Sequence, residues 1–131
     1  MVGLAYWYTA LVGWFFLVQG IITFLFNVIP SLDQAFPILL KVDPIAAPHS
    51  LLHILLGVVA LTALFKGGVQ GPDLASLGIG VFYVILAVAG FTDGRGLGLG
   101  LQSFDHPFHL GVGLAGLLAG AVCHLGHQKK I

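Results

Sequence analysis

The sequence predicts an all-α integral membrane protein, a four-helix bundle of up-down topology that forms a single domain over residues 1–131. Two observations lead to this class. Apolar residues make up 58% of the chain and charged residues only 8%, whereas a soluble domain carries about a quarter charged residues. The charged residues are also spaced out, so that they bound four apolar stretches, each near the ~20 residues that cross a bilayer as a helix.

The four apolar stretches place the predicted spans near residues 5–29, 48–65, 74–92 and 107–126. The first span opens with Tyr6, Trp7 and Tyr8, and such aromatic clusters are typical of helix ends held at the lipid headgroups. No basic segment precedes this span and no small-residue cleavage site follows it, so we expect it to remain in the mature protein rather than to act as a signal peptide. The lipid bilayer is therefore the first predicted partner.

The connections between the spans differ in composition. The first, residues 30–47, contains an apolar stretch, Phe36–Lys41, that fits either a short helix in the membrane interface or a folded-over loop. The second is predicted as a tight turn, because Lys66–Gly68 and Gln70–Asp73 combine glycines with a proline. The third, residues 93–100, alternates glycine with other residues without the spacing of a dinucleotide-binding loop, which predicts a flexible or closely packed connection.

The basic residues predict the orientation in the membrane. Lys66, Lys129 and Lys130 share one side with the N-terminus, whereas Lys41 and Arg95 lie on the other side. Because the more basic side is usually cytoplasmic, we predict that both termini face the cytoplasm, in a bacterial inner membrane or a thylakoid. A formal net charge of zero and the lack of a basic patch argue against nucleic acid as a partner.

Small residues four apart mark a helix–helix contact in the fourth span. Gly116 and Gly120 would let a helix approach closely, either within the bundle or from another membrane subunit or a second copy of the chain. The sequence contains no glutamate and no Ser-His-Asp grouping of recognisable spacing, so we expect no hydrolytic enzyme. Short connections and glycine-rich faces favour a non-enzymatic accessory subunit of a larger membrane complex. The lone Cys123 excludes an internal disulfide.

The pairs His53–Gly57 and His109–Gly113 recur near the start of spans two and four, each after a proline that suits the first turn of a helix. Residues four apart share a helix face, so each histidine lies above its glycine. Spans two and four run in the same direction and lie diagonally in an up-down bundle, so both histidines enter from one end and can face each other. The recurrence also indicates a duplicated helical hairpin.

Paired histidines in apolar spans point to a bound tetrapyrrole, which is our leading functional hypothesis. Neutral imidazole is an axial ligand of haem iron, and burial favours the neutral ring. His53 and His109 could ligate one haem b from two sides, or each could bind one chlorophyll magnesium. Gly57 and Gly113, one turn deeper, would leave space for the macrocycle against the backbone. A protein that held haem alone would be a stand-alone b-type electron carrier.

Other roles for the histidines stay open at the level of sequence. His49, His53, His106 and His109 could converge near one end of the bundle as a zinc, copper or iron site, which would make this a metal-binding membrane protein. The same groups could relay protons, although no carboxylate lies in mid-span. In a purely structural role, each imidazole would bond to a carbonyl group or to a serine such as Ser50.

Three segments of the chain carry a resemblance to a known family, namely Asp43–Pro44, His49–Gly57 and Asp105–Leu110. They resemble the small four-span membrane proteins of actinobacteria and cyanobacteria that repeat an Asn/Asp…His-x-x-x-Gly motif. The resemblance covers the starts of spans two and four and the overall plan. It implies that His53 with Gly57 and His109 with Gly113 are the marked positions. It implies no activity, since none is established for that family.

Overall fold

The structure, a computed structural model, describes residues 3–94 and 96–128, and within these ranges the chain is a bundle of helices. In chain order they are α1 (Leu4–Val28), α2 (Pro30–Ala35), α3 (Leu39–Val42), α4 (Ala47–Lys66), α5 (Gly71–Asp93) and α6 (Asp105–Gln128), with a 3-10 turn at Gly96–Gly98. The helices α1, α4, α5 and α6 are each long and apolar enough to cross a membrane. The predicted all-α four-helix membrane bundle is confirmed.

Helices α4 and α5 carry a proline, Pro48 or Pro72, in their first turn, where the missing N–H costs no hydrogen bond. The helix α5 begins at Gly71. Our prediction of a tight turn is therefore wrong for residues 71–73, which are helical. Asp73 adds a carboxylate to the first turn, where the helix dipole favours negative charge. The helix ends at Asp93 and is followed by Gly94, whose φ of 65° is the left-handed conformation that glycine adopts readily.

The first connection contains two short helices, α2 and α3. The apolar stretch Phe36–Lys41, for which a short helix or a folded-over loop was predicted, is helical only over its last three residues. Neither contributes a buried residue to the core. Hydrogen bonds tie the connection to the end of α1. Asp43, just after α3, accepts a hydrogen bond from Gln19 at 2.9 Å, and the amide of Asn27 donates to the carbonyl oxygen of Ile45 at 2.7 Å.

Consecutive spans pair as tight hairpins, α1 with α4 and α5 with α6, and a glycine brings each pair together. A Cβ added to Gly57 would lie 2.6 Å from the backbone nitrogen of Leu17. One added to Gly113 would lie 2.8 Å from the backbone nitrogen of Val84. These equivalent contacts support the predicted duplicated hairpin. They also fill the space beside both glycines, which the tetrapyrrole hypothesis assigns to a macrocycle.

Gly116 and Gly120 make a contact within the chain. Both are buried against α5, where an added Cβ would lie 2.8 Å from the carbonyl oxygen of Ser76 and 2.9 Å from that of Asp73, respectively. The sequence leaves open whether these glycines contact a helix of the same bundle or a neighbouring subunit. In the structure they contact a helix of the same bundle. The helix α5 covers this face of α6, so these two glycines are not exposed to a neighbouring subunit.

Aromatic side chains join the two hairpins at the centre of the bundle. Phe16 of α1 and Tyr83 of α5 are completely buried and stack on each other, with ring centroids 5.1 Å apart. The helices α1 and α5 approach each other more closely than α4 and α6 do. Where α4 and α6 begin, histidine side chains bridge the gap between them. We refer to this end of the bundle as the histidine end.

We expect Gly57→Ala to lower the free energy of unfolding by about 1–3 kcal/mol, because the new methyl group must push α1 away from α4. Gly78→Ala is the matched control. A Cβ at Gly78 meets nothing within 4 Å in the described ranges, and alanine favours a helix over glycine by up to ~1 kcal/mol. Thermal unfolding in detergent, followed by circular dichroism, measures the difference. Equal stability of the two variants would contradict the close contact.

Candidate metal centre

Three histidines meet at the histidine end. His49 and His53 lie one turn apart on α4, His109 faces them from α6, and each side chain is only 1% exposed. One ring nitrogen from each histidine lies within 4.8 Å of the other two. The ring centroid of His49 is 4.4 Å from that of His53 and 5.4 Å from that of His109. The ring centroids of His53 and His109 are 6.4 Å apart. We call these three side chains the histidine trio.

Buried nitrogen atoms of the trio lack hydrogen-bond partners among the described protein atoms. They are both ring nitrogens of His49, Nε2 of His53 and Nδ1 of His109. Leaving a buried polar atom without a partner costs about 1–3 kcal/mol. Because His106 also buries an Nδ1 atom without a partner among the described residues, the convergence of three rings, and not the missing partners alone, favours a ligand-binding site.

Two polar side chains from outside α4 set the orientation of His53. Gln19 of α1 donates its amide N–H to Oδ2 of Asp43 at 2.9 Å, which turns the amide oxygen of Gln19 toward Nδ1 of His53 at 2.5 Å. An amide oxygen can only accept, so Nδ1 of His53 carries the proton and donates it. The lone pair of the neutral ring is then on Nε2. Histidines that bind metals are commonly oriented by such a partner behind the ring.

Aromatic rings close the trio toward the centre of the bundle. Phe16 stacks on His53 with ring centroids 4.5 Å apart and an angle of 23° between the planes. Tyr83 lies against His109 with centroids 4.8 Å apart. Each hairpin thus contributes one histidine that is backed by one aromatic ring. The third histidine, His49, has no counterpart in the trio from the other hairpin.

The hydroxyl group of Ser50, a partner that a purely structural role would use, is engaged elsewhere. It lies 2.8 Å from the hydroxyl of Thr23 and donates to the carbonyl oxygen of Ala46 at 3.2 Å. Of the trio, His53 has a protein partner, the amide oxygen of Gln19. Among the described residues, hydrogen-bond partners are therefore found for only some of the ring nitrogens of the trio.

His106 does not join the trio. Its ring packs against Gly90 and against Phe91 of α5, with the centroids of His106 and Phe91 5.6 Å apart. Residues three apart on a helix differ by about 60° in direction, so His109 can point into the bundle while His106 points toward α5. Of the four predicted metal ligands, the structure brings together three and separates His106.

A cavity of about 510 Å³ lies beside the trio. His53 and His109 reach its wall, together with aromatic side chains such as Phe15 of α1 and Phe108 of α6. Polar and charged residues line it as well, namely Gln19, Lys41, Asp43, Gln102 and Asp105. The cavity therefore offers the trio an approach through a partly polar passage.

The roles of Gln19, Asp43 and Phe16 at the site are not among the sequence-based predictions. The signal for Gln19 is present, because an amide in the middle of an apolar span usually has a specific partner. The other two carry no comparable signal, since a loop carboxylate and a phenylalanine within a span are both common. Their roles depend on which helices pack together.

Comparison with models of known families, with curated proteins and with solved structures gives no match for this chain. The trio, its orienting side chains and the cavity are therefore the basis for inferring a function.

We expect histidine nitrogen NMR at mildly alkaline pH to show His53 as the tautomer protonated at Nδ1, because the amide oxygen of Gln19 requires a donor. In Gln19→Leu the requirement disappears, and the tautomer protonated at Nε2 should become populated. His124, at the opposite end of the bundle, serves as the internal reference that Gln19→Leu leaves unchanged. A ring protonated at Nε2 in the unaltered protein would contradict the hydrogen bond.

Proposed function

We propose that this membrane protein binds one first-row transition-metal ion inside the bundle, through His49, His53 and His109. The observation that carries the proposal is the convergence of buried ring nitrogens without partners among the described protein atoms. Imidazole is a ligand that suits zinc, copper, nickel and iron, whereas magnesium and calcium prefer oxygen ligands. The all-nitrogen character of the trio therefore supports a transition metal.

The spacing of the trio fits such an ion. Zinc binds histidine nitrogen at about 2.0–2.1 Å, so two nitrogens on one ion lie at most about 4.2 Å apart. The three nitrogens lie within 4.8 Å of one another, and ring movements on the order of 1 Å close the set. Three histidines with one further position left open is also the ligand arrangement of the catalytic zinc in carbonic anhydrase.

Gln19 and Asp43 support the same proposal. By accepting a hydrogen bond from Nδ1–H, Gln19 leaves the lone pair of His53 on Nε2, which is buried in the trio. Asp43 holds the amide of Gln19 in the required direction. Such partners raise the basicity of a ligating ring and fix its direction. Gln19 and Asp43 would thus be positioning residues, and the trio itself would bind the ion.

The open position would face the cavity, so that a small molecule could reach it from the histidine end. This arrangement supports a role in holding or handling a metal ion within the membrane, as a subunit of a larger assembly. If both termini lie in the cytoplasm, as the basic residues predict, the cavity opens on the opposite side of the membrane.

We expect the purified protein to bind one zinc or cobalt ion per chain. His53→Ala and His109→Ala should each weaken zinc binding by at least about a hundredfold, since losing a ligand costs more than losing an orienting partner. Gln19→Leu should weaken it by about ten- to a hundredfold, the usual cost of an orienting partner. Competition with a chelating dye measures the affinities, and elemental analysis measures the stoichiometry.

His106→Ala and His124→Ala are the matched controls for the metal measurements. The first removes a histidine at the same end that packs on α5, and the second removes one at the opposite end. Circular dichroism shows whether each variant is folded. A metal content well below one ion per chain in the unaltered protein, or equal loss in the controls, would refute the proposal.

A tetrapyrrole bound through a single histidine is the second candidate, because the cavity reaches His109 and is lined by Phe15 and Phe108. A flat apolar ligand packs well on such rings. Ligation of one macrocycle from both sides, by His53 and His109, has less support. The ring of His49 lies close to both of them, where the macrocycle would need space.

The absorption spectrum of the protein purified from its native membrane separates the two candidates. With a metal ion at the trio, we expect neither a Soret band nor a red chlorophyll band, because no macrocycle is present. A Soret or red band that is lost in His109→Ala and retained in His124→Ala would replace the metal proposal with the tetrapyrrole. Reduction of the sample would then distinguish haem, whose bands shift, from chlorophyll.

A further inference from the structure

An apolar groove runs along the outside of the bundle between α1 and α6. Its successive stretches share lining residues, and Leu11 and Phe15 on its wall are 68% and 47% exposed. The groove reaches the cavity at Phe15 and Phe108, which line both. Along α1 the groove and the cavity extend from Tyr8 to Gln19, a rise of about 16 Å. In a membrane this face of the bundle is open to lipid.

The groove leads into a set of aromatic rings at the cavity. Phe104 and Phe108 stack with centroids 6.3 Å apart and 23° between their planes, and Phe15 lies 6.1 Å from Phe108. Lys41, whose side chain ends in an ammonium group, lines the same cavity. A flat ring that carries hydrogen-bond acceptors could pack against these phenylalanine rings and accept a hydrogen bond from Lys41.

We propose that the groove and the cavity together bind a lipid-soluble molecule with a planar, carbonyl-bearing ring and one long apolar tail, the chemistry of a membrane quinone. The phenylalanine rings pack on the head, the Lys41 ammonium donates to a carbonyl oxygen, and the groove between α1 and α6 holds the tail. The proposal concerns binding only, and it does not require a metal ion at the trio.

Charge separates this ligand from an anionic phospholipid. The cavity wall carries Asp43 and Asp105 in addition to Lys41. Carboxylates near a headgroup phosphate are unfavourable, because like charges in a partly buried site repel. A neutral ring with carbonyl groups avoids that repulsion and still uses the cation. The groove also offers one continuous channel, which suits a single tail.

The test uses the full chain in phosphatidylcholine nanodiscs and a benzoquinone with a decyl tail as the probe. Gly111→Leu places a side chain in the groove. It should fold, because a Cβ at Gly111 meets nothing within 4 Å in the part of the chain that the structure describes. Gly78→Leu is the matched control, an exposed helical glycine with equally open surroundings on α5, outside the groove. Equilibrium binding is measured against nanodiscs without protein.

We expect one saturable site per chain, with affinity reduced about tenfold in Gly111→Leu, since the tail loses apolar contact, and unchanged in Gly78→Leu. Decylbenzene, which has the tail but no carbonyl groups, should bind more weakly. Lys41→Met should weaken the quinone and leave decylbenzene unchanged. Equal affinity for the two probes, no effect of Gly111→Leu, or no saturable binding over phosphatidylcholine would overturn the proposal. Zinc affinity should be unchanged in Gly111→Leu, so the metal and quinone proposals can fail separately.

Discussion

Close backbone contact at glycines within each hairpin is the constraint on which the site depends. Gly57 lets α1 meet α4, and Gly113 lets α5 meet α6, because a Cβ at either glycine would collide with backbone atoms of the partner helix. In a bilayer such packing drives helix association, because lipid removes most of the hydrophobic driving force. The contacts fix how far each helix lies along its partner. The stack of Phe16 on Tyr83 joins the two hairpins, and His53 and His109, each one turn from its glycine, meet at the same end of the bundle.

At that depth two physical requirements conflict. Phe16 and Tyr83 pack closely and exclude water, whereas imidazole nitrogens need hydrogen-bond or metal partners when buried. The amide of Gln19 satisfies one nitrogen of His53 and leaves the other buried nitrogens of the trio without a protein partner among the described residues. A single ion would satisfy a nitrogen on every ring at once. The metal proposal therefore rests on packing and not on the number of histidines.

Access to the trio comes from the interface between the hairpins. The glycine contacts close α1 against α4 and α5 against α6, whereas near the histidine end α1 and α6 meet through the rings of Phe15 and Phe108, whose centroids are 6.1 Å apart. The cavity and the groove open at this interface and share those two side chains. A buried polar centre and a lipid-facing channel thus lie side by side, an arrangement suited to a small ligand that enters from the membrane.

The sequence alone determined the all-α class, the number of spans and the common end at which the histidines enter, because in a bilayer each long apolar stretch must satisfy its own backbone as a helix. It did not determine which histidines meet. His49 and His106 both lie near the start of a histidine-bearing span, and only packing against α1 and α5 turns one toward the trio and the other away. The glycine of a His-x-x-x-Gly motif likewise fits a macrocycle or a helix, and the tertiary structure places a helix against Gly57. The partnership of Gln19 with Asp43 joins a span to a loop, a contact that no local spacing encodes.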